Sequence, residues 1–352
     1  MNATLELYYE SRPDCILGCN IGDMSTTSAA PTHEELLERM TGGLAPNGLA
    51  PFAGSDRLRP DGRPKADFRR TLRRISNPRN IITSIASLAF PALLVAAVIA
   101  IGQWWVMVAA IPLMGILQNR LFILHHEAAH RLLFTNRRWN DLIGITLCGW
   151  LAFGTGSHSY RRGHSNHHRD EFGPKEPDFL LYSFYPITKQ SLRRKLLRDL
   201  GGVSAYRILR PRITGLVKPK YLKNSLRFFA GQAAVFALFW VAGHPWLYFS
   251  LWVLPYATVY QVLNRLRAIA EHGGLTRSPD RRVTSHHVRQ SRLASMIMVP
   301  YGIGWHLAHH VDSGIPFRNL PAFTRALEED GYIVPEHTWS SYRALWRAQA
   351  SG

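Results

Sequence analysis

"IITSIASLAFPALLVAAVIAIGQWWVMVAAIPLMGILQN", Ile81–Asn119, contains no Asp, Glu, Lys or Arg. A membrane-crossing helix needs roughly 20 apolar residues, so this run of 39 residues has room for two. Its middle, "IGQWW" at Ile101–Trp105, supplies a break where the chain can turn. A second uncharged run of 37 residues, Phe228–Asn264, has a comparable break at "AGHPW", Ala242–Trp246. Long helices of a soluble bundle keep charges on a solvent face, and these two runs keep none. The pattern predicts an all-α membrane protein whose four transmembrane helices form two hairpins, near 81–101, 104–124, 226–243 and 246–264.

Charge gives the expected orientation. The formal net charge is +18, yet both hairpin turns lack Lys and Arg. "FRRTLRRISNPR" (Phe68–Arg79) precedes the first span, and Lys189–Arg227 carries a dozen basic residues against Asp199 alone. By the positive-inside rule, both termini and the middle segment are cytoplasmic, in an integral, multi-pass protein. The basic face then meets an anionic leaflet, with an acidic electron carrier as the second reading. No groove-reading motif accompanies the charge, so no nucleic-acid partner is expected. Cys15, Cys19 and Cys148 form neither a disulfide framework nor a metal pattern.

Residues 1–67, rich in Pro, Gly, Ser and Thr, are expected to be a flexible cytoplasmic tail. One short helix is expected there at "THEELLERM", capped by Thr32. A basic-then-apolar leader is not expected, and Met24 is an alternative start. Residues 68–340 form the expected membrane domain and 341–352 a C-terminal tail. "DLIGITLCGWLAF" (Asp141–Phe153) and "LASMIMVPYGI" (Leu293–Ile303) are too short to span, so re-entrant or interfacial placement is expected. Residues 185–225 read as an amphipathic surface segment.

The chemistry lies in the histidines, which cluster. "HHEAAH" (His125–His130) satisfies the His-Glu-x-x-His signature of zinc proteases. It is followed by "HSNHH" (His164–His168), "EHGG" (Glu271–Gly274) and "HLAHH" (His306–His310). Residues at i, i+3 and i+4 share a helical face. His164, His167 and His168 can therefore enter one pocket, as can His306, His309 and His310, while His126 and His130 supply an i, i+4 pair. Eight or nine imidazoles exceed the capacity of one metal ion, so two are implied. A zinc protease would use Glu127 as base and leave both His-x-x-His-His boxes unexplained. A metal transporter would want its ionisable groups within the spans.

One His-x-x-x-His box, two His-x-x-His-His boxes and two membrane hairpins resemble the integral-membrane fatty acid desaturase family. The likeness runs from about Arg69 to Pro335 and includes "HEAAHRLLF", "YRRGHSNHHRDEFGPKEPDF" and "YGIGWHLAHHVDSGIPFRNLPAF". It implies two non-haem iron ions, with O2 as co-substrate, desaturating a lipid acyl chain. Carried over by position, the metal ligands are His126, His130, His164, His167, His168, His272, His306, His309 and His310. His125 leaves an alternative ligand in the first box, with His126 preferred.

Glu127, Glu271 and Asp178 are then expected to accept N–H groups of the ligands, with His125 beside them. Arg161, Arg162 and Arg169 read as positive-inside charge, or as contacts to an anionic headgroup. His158, His286 and His287 match no ligand position, and His33, His244 and His337 read as ordinary polar residues. His306 in place of Gln, and the lack of a visible haem domain, argue against the front-end subgroup. The expected electron donor is thus an external ferredoxin-type or cytochrome-type carrier. A lipid or carotenoid hydroxylase or ketolase on the same scaffold is the alternative reading.

Overall fold

The computed structural model describes residues 32–352; the first 31 residues of the tail expected over 1–67, with Cys15, Cys19 and Met24, lie outside the described residues. The chain is mostly helical. Helix α1 (His33–Met40) begins with Thr32, which accepts the Glu35 N–H while Glu35 reaches back to the Thr32 N–H, as that sequence predicts. Residues 41–65 do not hang free. Leu58 is fully buried, and the Gly62 backbone, at φ 78°, lies so close to the Tyr332 ring that a Cβ there would stand 2.6 Å from it. Arg57 pairs with Glu329 (2.9 Å) and with Asp330, which Ser55 also reaches at 2.5 Å.

After α2 (Ala66–Leu72), the opening sequence forms α3 (Asn77–Ile101) and α4 (Trp104–Ala129). These two helices are long and apolar enough to cross a membrane. Gly102, in the left-handed region at φ 67°, closes α3 and returns its N–H to the Val98 carbonyl, and α4 starts two residues later. Ile82, Ile85, Leu93, Trp104, Trp105 and Val108 are exposed on this pair, a surface that favours lipid over water.

The second uncharged run builds differently. Helix α8 (Pro219–Val241) starts earlier than 226, taking Lys220, Lys223 and Arg227 into its first turns. Its continuation is widened into π turns at Tyr248–Val253 and Tyr256–Tyr260, which flank Pro255 and its missing N–H, before α9 (Gln261–His272) resumes normal pitch. The short apolar segment after α4 becomes a π helix, Asn140–Leu147, continued by Cys148–Leu151. Between the second box, α5 (Ser159–Arg169), and α8 run α6 (Lys189–Leu200) and α7 (Val203–Thr214). They expose Leu197, Leu200, Tyr206 and Ile213 among their basic residues, as an interfacial pair does.

Three later helices form much of a cap over the ends of α4 and α9: α10 (His306–Val311), α11 (Leu320–Glu329) and α12 (Tyr342–Gln349). One two-residue parallel pairing, β1 (His287–Val288) with β2 (Thr338–Trp339), ties the cap's edge. The expected C-terminal tail is instead a packed helix. Leu345 is fully buried, Trp346 donates to the Leu266 carbonyl (3.0 Å), and Gln349 donates to Ile269 (3.1 Å). Tyr342, Leu345 and Gln349 fall on one helical face, a pattern too short to stand out in the sequence.

Close backbone approach holds the helical part together at two glycines. A Cβ on Gly115 of α4 would stand 2.8 Å from Val259, and one on Gly231 of α8 would stand 2.4 Å from Trp150. Gly231→Ala is therefore expected to destabilise the protein by about 1–3 kcal/mol through overpacking. Thermal unfolding in detergent should show a lower midpoint, and an unchanged midpoint would refute this contact.

Candidate metal centre

Helix α4 ends inside the cap and its last turns carry the first histidines. Its C-terminal carbonyls would be orphaned, but Arg161 of α5 donates to the Ala128 and Ala129 carbonyls (both 3.0 Å) and pairs with Asp141 at 2.5 Å. Arg161 thus fixes the first box against the second. Asn140 adds a bond to the Ala128 carbonyl (3.0 Å). His125 and His126 diverge here. The His125 Nδ1 donates to the Gly144 carbonyl (2.9 Å) and its ring lies on Tyr160, whereas His126 joins a metal-ligand group.

Two groups form, and together they contain all nine histidines carried over from the resemblance. His126, His130, His164, His168 and His309 make one; His167, His272, His306 and His310 make the other. Within each, one ligand atom per residue lies within 4.8 Å of the rest. His33, His125, His158, His244, His286, His287 and His337 join neither. His286 bridges the Gly273 carbonyl (2.8 Å) and Trp339 (3.1 Å), and His287 faces Glu328 at 3.1 Å.

The outer nitrogens show what the inner ones can do. In the four-histidine group, His167 Nδ1 donates to both oxygens of Glu176 (2.8 Å). His310 Nδ1 donates to Glu171, and His272 Nδ1 to the Thr284 carbonyl (2.7 Å). A neutral ring with its proton committed outward turns an Nε2 lone pair inward. The Nε2 atoms of His167 and His310 face each other at 3.3 Å, and those of His306 and His272 at 2.9 Å. Deprotonated Nε2 atoms converging in this way would offer their lone pairs to a cation placed among them. In the five-histidine group, His130 and His164 face at 2.8 Å and His164 and His168 at 3.1 Å. There His126 Nδ1, His168 Nδ1 and His309 Nε2 are buried without a hydrogen-bond partner. The donor set fits two metal ions that accept imidazole.

Burial pushes His130 and His272 down to about 3, and holds His164, His168, His306, His309 and His310 well below the ordinary imidazole range. These rings are neutral donors at pH 7. Burial also lowers His167, but the Glu176 carboxylate outweighs it and raises this group to about 9.

The carboxylates were only partly legible. Glu271 does approach a ligand, at 3.5 Å from His306 Nδ1, while also pairing with Arg267 (3.3 Å). Glu127 instead accepts the Phe317 backbone N–H (3.0 Å), because its position on α4 turns it toward the Pro316–Phe317 turn. Asp178 lies near His167, but Glu176 two residues earlier makes the bond and also accepts the Asp178 N–H (2.9 Å). Glu171, which Arg281 pairs at 2.6 Å, was missed with Glu176. Both lie in the acid-rich run after the second box, which was the available signal.

An aromatic series leads away from the site. The Tyr160 ring stacks on His164 (5.5 Å), Phe122 meets Tyr160 and Tyr260, and Tyr256 stacks between Tyr260 (5.1 Å) and Phe153 (3.9 Å). It carries the dry environment of the histidines into the helical part.

Fold and site define a helical protein with two helices able to cross a membrane and two histidine groups that could each hold a metal ion. A family model described as "Fatty acid desaturase" matches residues 102–343. The chain belongs to the fatty acid desaturase family, and it is an oxidoreductase. It is 25% identical over 255 residues to the dihydrorhizobitoxine desaturase of Bradyrhizobium elkanii, covering 67% of this chain and 72% of that protein. It is 23% identical to the sn-1 oleoyl-lipid 12-desaturase of Arthrospira platensis, over 69% of this chain and 74% of that one. The corresponding enzyme of Anabaena variabilis is also 23% identical, over 70% and 77%.

Glu176→Gln keeps the side chain's size but removes the charge that orients His167. It is expected to weaken the metal of the four-histidine group about 10- to 100-fold while sparing the other. Competitive chelation of the purified protein reads this directly. Equal loss from both groups would contradict the assignment.

Proposed function

We propose that this protein is a four-span membrane desaturase that introduces a double bond into a lipid acyl chain at a histidine-held di-iron centre. The observation that carries the reading is the convergence of nine histidines from four remote segments into groups of five and four. His126, His130, His164, His168 and His309 hold one iron, and His167, His272, His306 and His310 the other. The bound pair supplies oxidation of an unactivated carbon–hydrogen bond at the expense of O2. Two hydrogens leave the chain, and O2 with two further electrons and two protons becomes two waters. The electrons come from a separate ferredoxin-type or cytochrome-type carrier.

The protein's own residues prepare the site. Glu176, Glu171 and the Thr284 carbonyl orient His167, His310 and His272, and burial keeps nearly all the ligand rings neutral. The aromatic series from Tyr160 to Trp252 excludes water from the side facing the membrane helices. In this reading the two uncharged runs make four spans and the cap is cytoplasmic. The basic residues flanking the runs support that placement.

Mass spectrometry of lipids from cells with and without the expressed protein tests the reaction. A product lighter by two hydrogens is expected. A product heavier by one oxygen would assign a hydroxylase on the same scaffold instead. His167→Ala and His309→Ala are each expected to abolish turnover and to lower the iron content, and full activity in either would remove that residue from the ligand set.

A further inference from the structure

Seven of the nine converging histidines are buried; His130 and His168, both in the five-histidine group, are the two that keep partial exposure. Both line a cavity of about 530 Å³ on the cap, together with His310 of the other group. The other walls are cationic: Arg59, Arg63, Arg69 and Arg281. Arg70 and Arg73 extend this surface into an adjoining hollow that shares Arg59 and Arg69. The carboxylates facing these six arginines are Asp61, Asp67, Asp312 and Glu171. Arg69 is tied to Asp312 at 2.5 Å, Arg281 to Glu171 at 2.6 Å and Arg70 to Asp67 at 3.3 Å. Arg59 and Arg63 share the single Asp61 at 3.8 and 3.9 Å and keep more than half of their side-chain surface exposed. Among the described residues, a largely positive rim thus surrounds the edge at which His130 and His168 meet solvent.

We propose that an acidic one-electron carrier protein docks on this rim, and that electrons enter through the His130–His168 edge, reaching the metal of the five-histidine group first. The inference rests on the desaturase reading above, because it needs a centre that consumes external electrons. Each encounter oxidises the carrier by one electron and reduces the metal pair by one, so two encounters serve one turnover. A rim of like charge concentrates an oppositely charged partner and raises its association rate. The cavity's polar, cationic walls do not suit an acyl chain, which needs an apolar slot. An anionic lipid headgroup is the competing occupant, and the test separates the two.

The iron-loaded protein in nanodiscs is mixed with a reduced, acidic [2Fe–2S] ferredoxin in a stopped-flow instrument. For the unaltered protein the bimolecular reduction rate is expected to fall as salt rises, since exposed charges are screened over about 10 Å at 0.1 M. Arg59→Glu with Arg63→Glu should slow reduction about tenfold or more at low salt and flatten the salt dependence. Iron content and photochemical reduction by a small neutral reductant should stay unchanged. Arg70→Glu, on an exposed side chain, should slow the reaction in the same direction by less, and it decides the matter if the double variant loses iron. Reduction of these variants by the carrier at the original rate overturns the proposal. So does an intact carrier rate with a raised KM for lipid, which assigns the rim to a headgroup. A protein that holds no iron, or leaves lipid unchanged with every reductant, overturns the desaturase reading itself.

Discussion

The Nε2 atoms of His167 and His310 face each other 3.3 Å apart, and the outer Nδ1 of each ring is bonded to a carboxylate. Three of the four rings in their group are held from behind. Glu176, Glu171 and the Thr284 carbonyl grip the outer nitrogens, and Arg281 in turn steadies Glu171. A buried carboxylate left alone would be costly, so each one here is bonded twice or more. Glu176 accepts from His167 and from the Asp178 backbone, and Glu171 faces both His310 and Arg281. The histidine centre is therefore a set of converging imidazoles, part of it positioned by a shell of acceptors, that could hold a pair of cations.

The shell requires four distant parts of the chain to arrive at fixed angles. Helix α4 delivers His126 and His130 from its final turns, and Arg161 secures that end while opening the helix that carries the second box. The widened turns around Pro255 precede α9, which brings His272 opposite His306. Buried polar side chains lock the same helices: Gln118 donates to the Trp252 carbonyl (2.7 Å), and Asn119 to Met298 (2.8 Å). Such bonds are obligatory where no water can reach.

Much of this was legible in the sequence, because the uncharged runs and the histidine spacings are strong periodic signals. The pair α3 and α4 follows from charge absence alone, and the histidine groups follow from i, i+3, i+4 geometry. The choice between His125 and His126 was not legible, since adjacent residues on α4 differ only in which neighbour they meet, and that neighbour, Gly144, lies 19 residues away. Glu127 misled for the same reason. Its partner, Phe317, is 190 residues distant, and proximity in sequence to a ligand says nothing about the direction of a side chain. The order of residues 41–65 and 342–349 was hidden too. Short segments that pack on a finished surface need few apolar residues, and Leu58 or Leu345 alone makes no pattern.

The segment that ends in Arg59 and Arg63 contributes no metal ligand. Its hold on the cap rests on Arg57 with Asp330, on Leu58, on Gly62 against Tyr332, and on Arg63, which donates to the Val311 carbonyl of α10 (3.2 Å). The converging histidines lie on or beside α4, α5, α9 and α10, whereas much of the cationic wall before them comes from a separate, peripheral piece of chain. Substitutions in that piece can change the sign or reach of the wall without moving a single imidazole. Partner preference and oxidative power can accordingly diversify independently within one scaffold, much as a socket can be re-cut without rewinding the motor behind it.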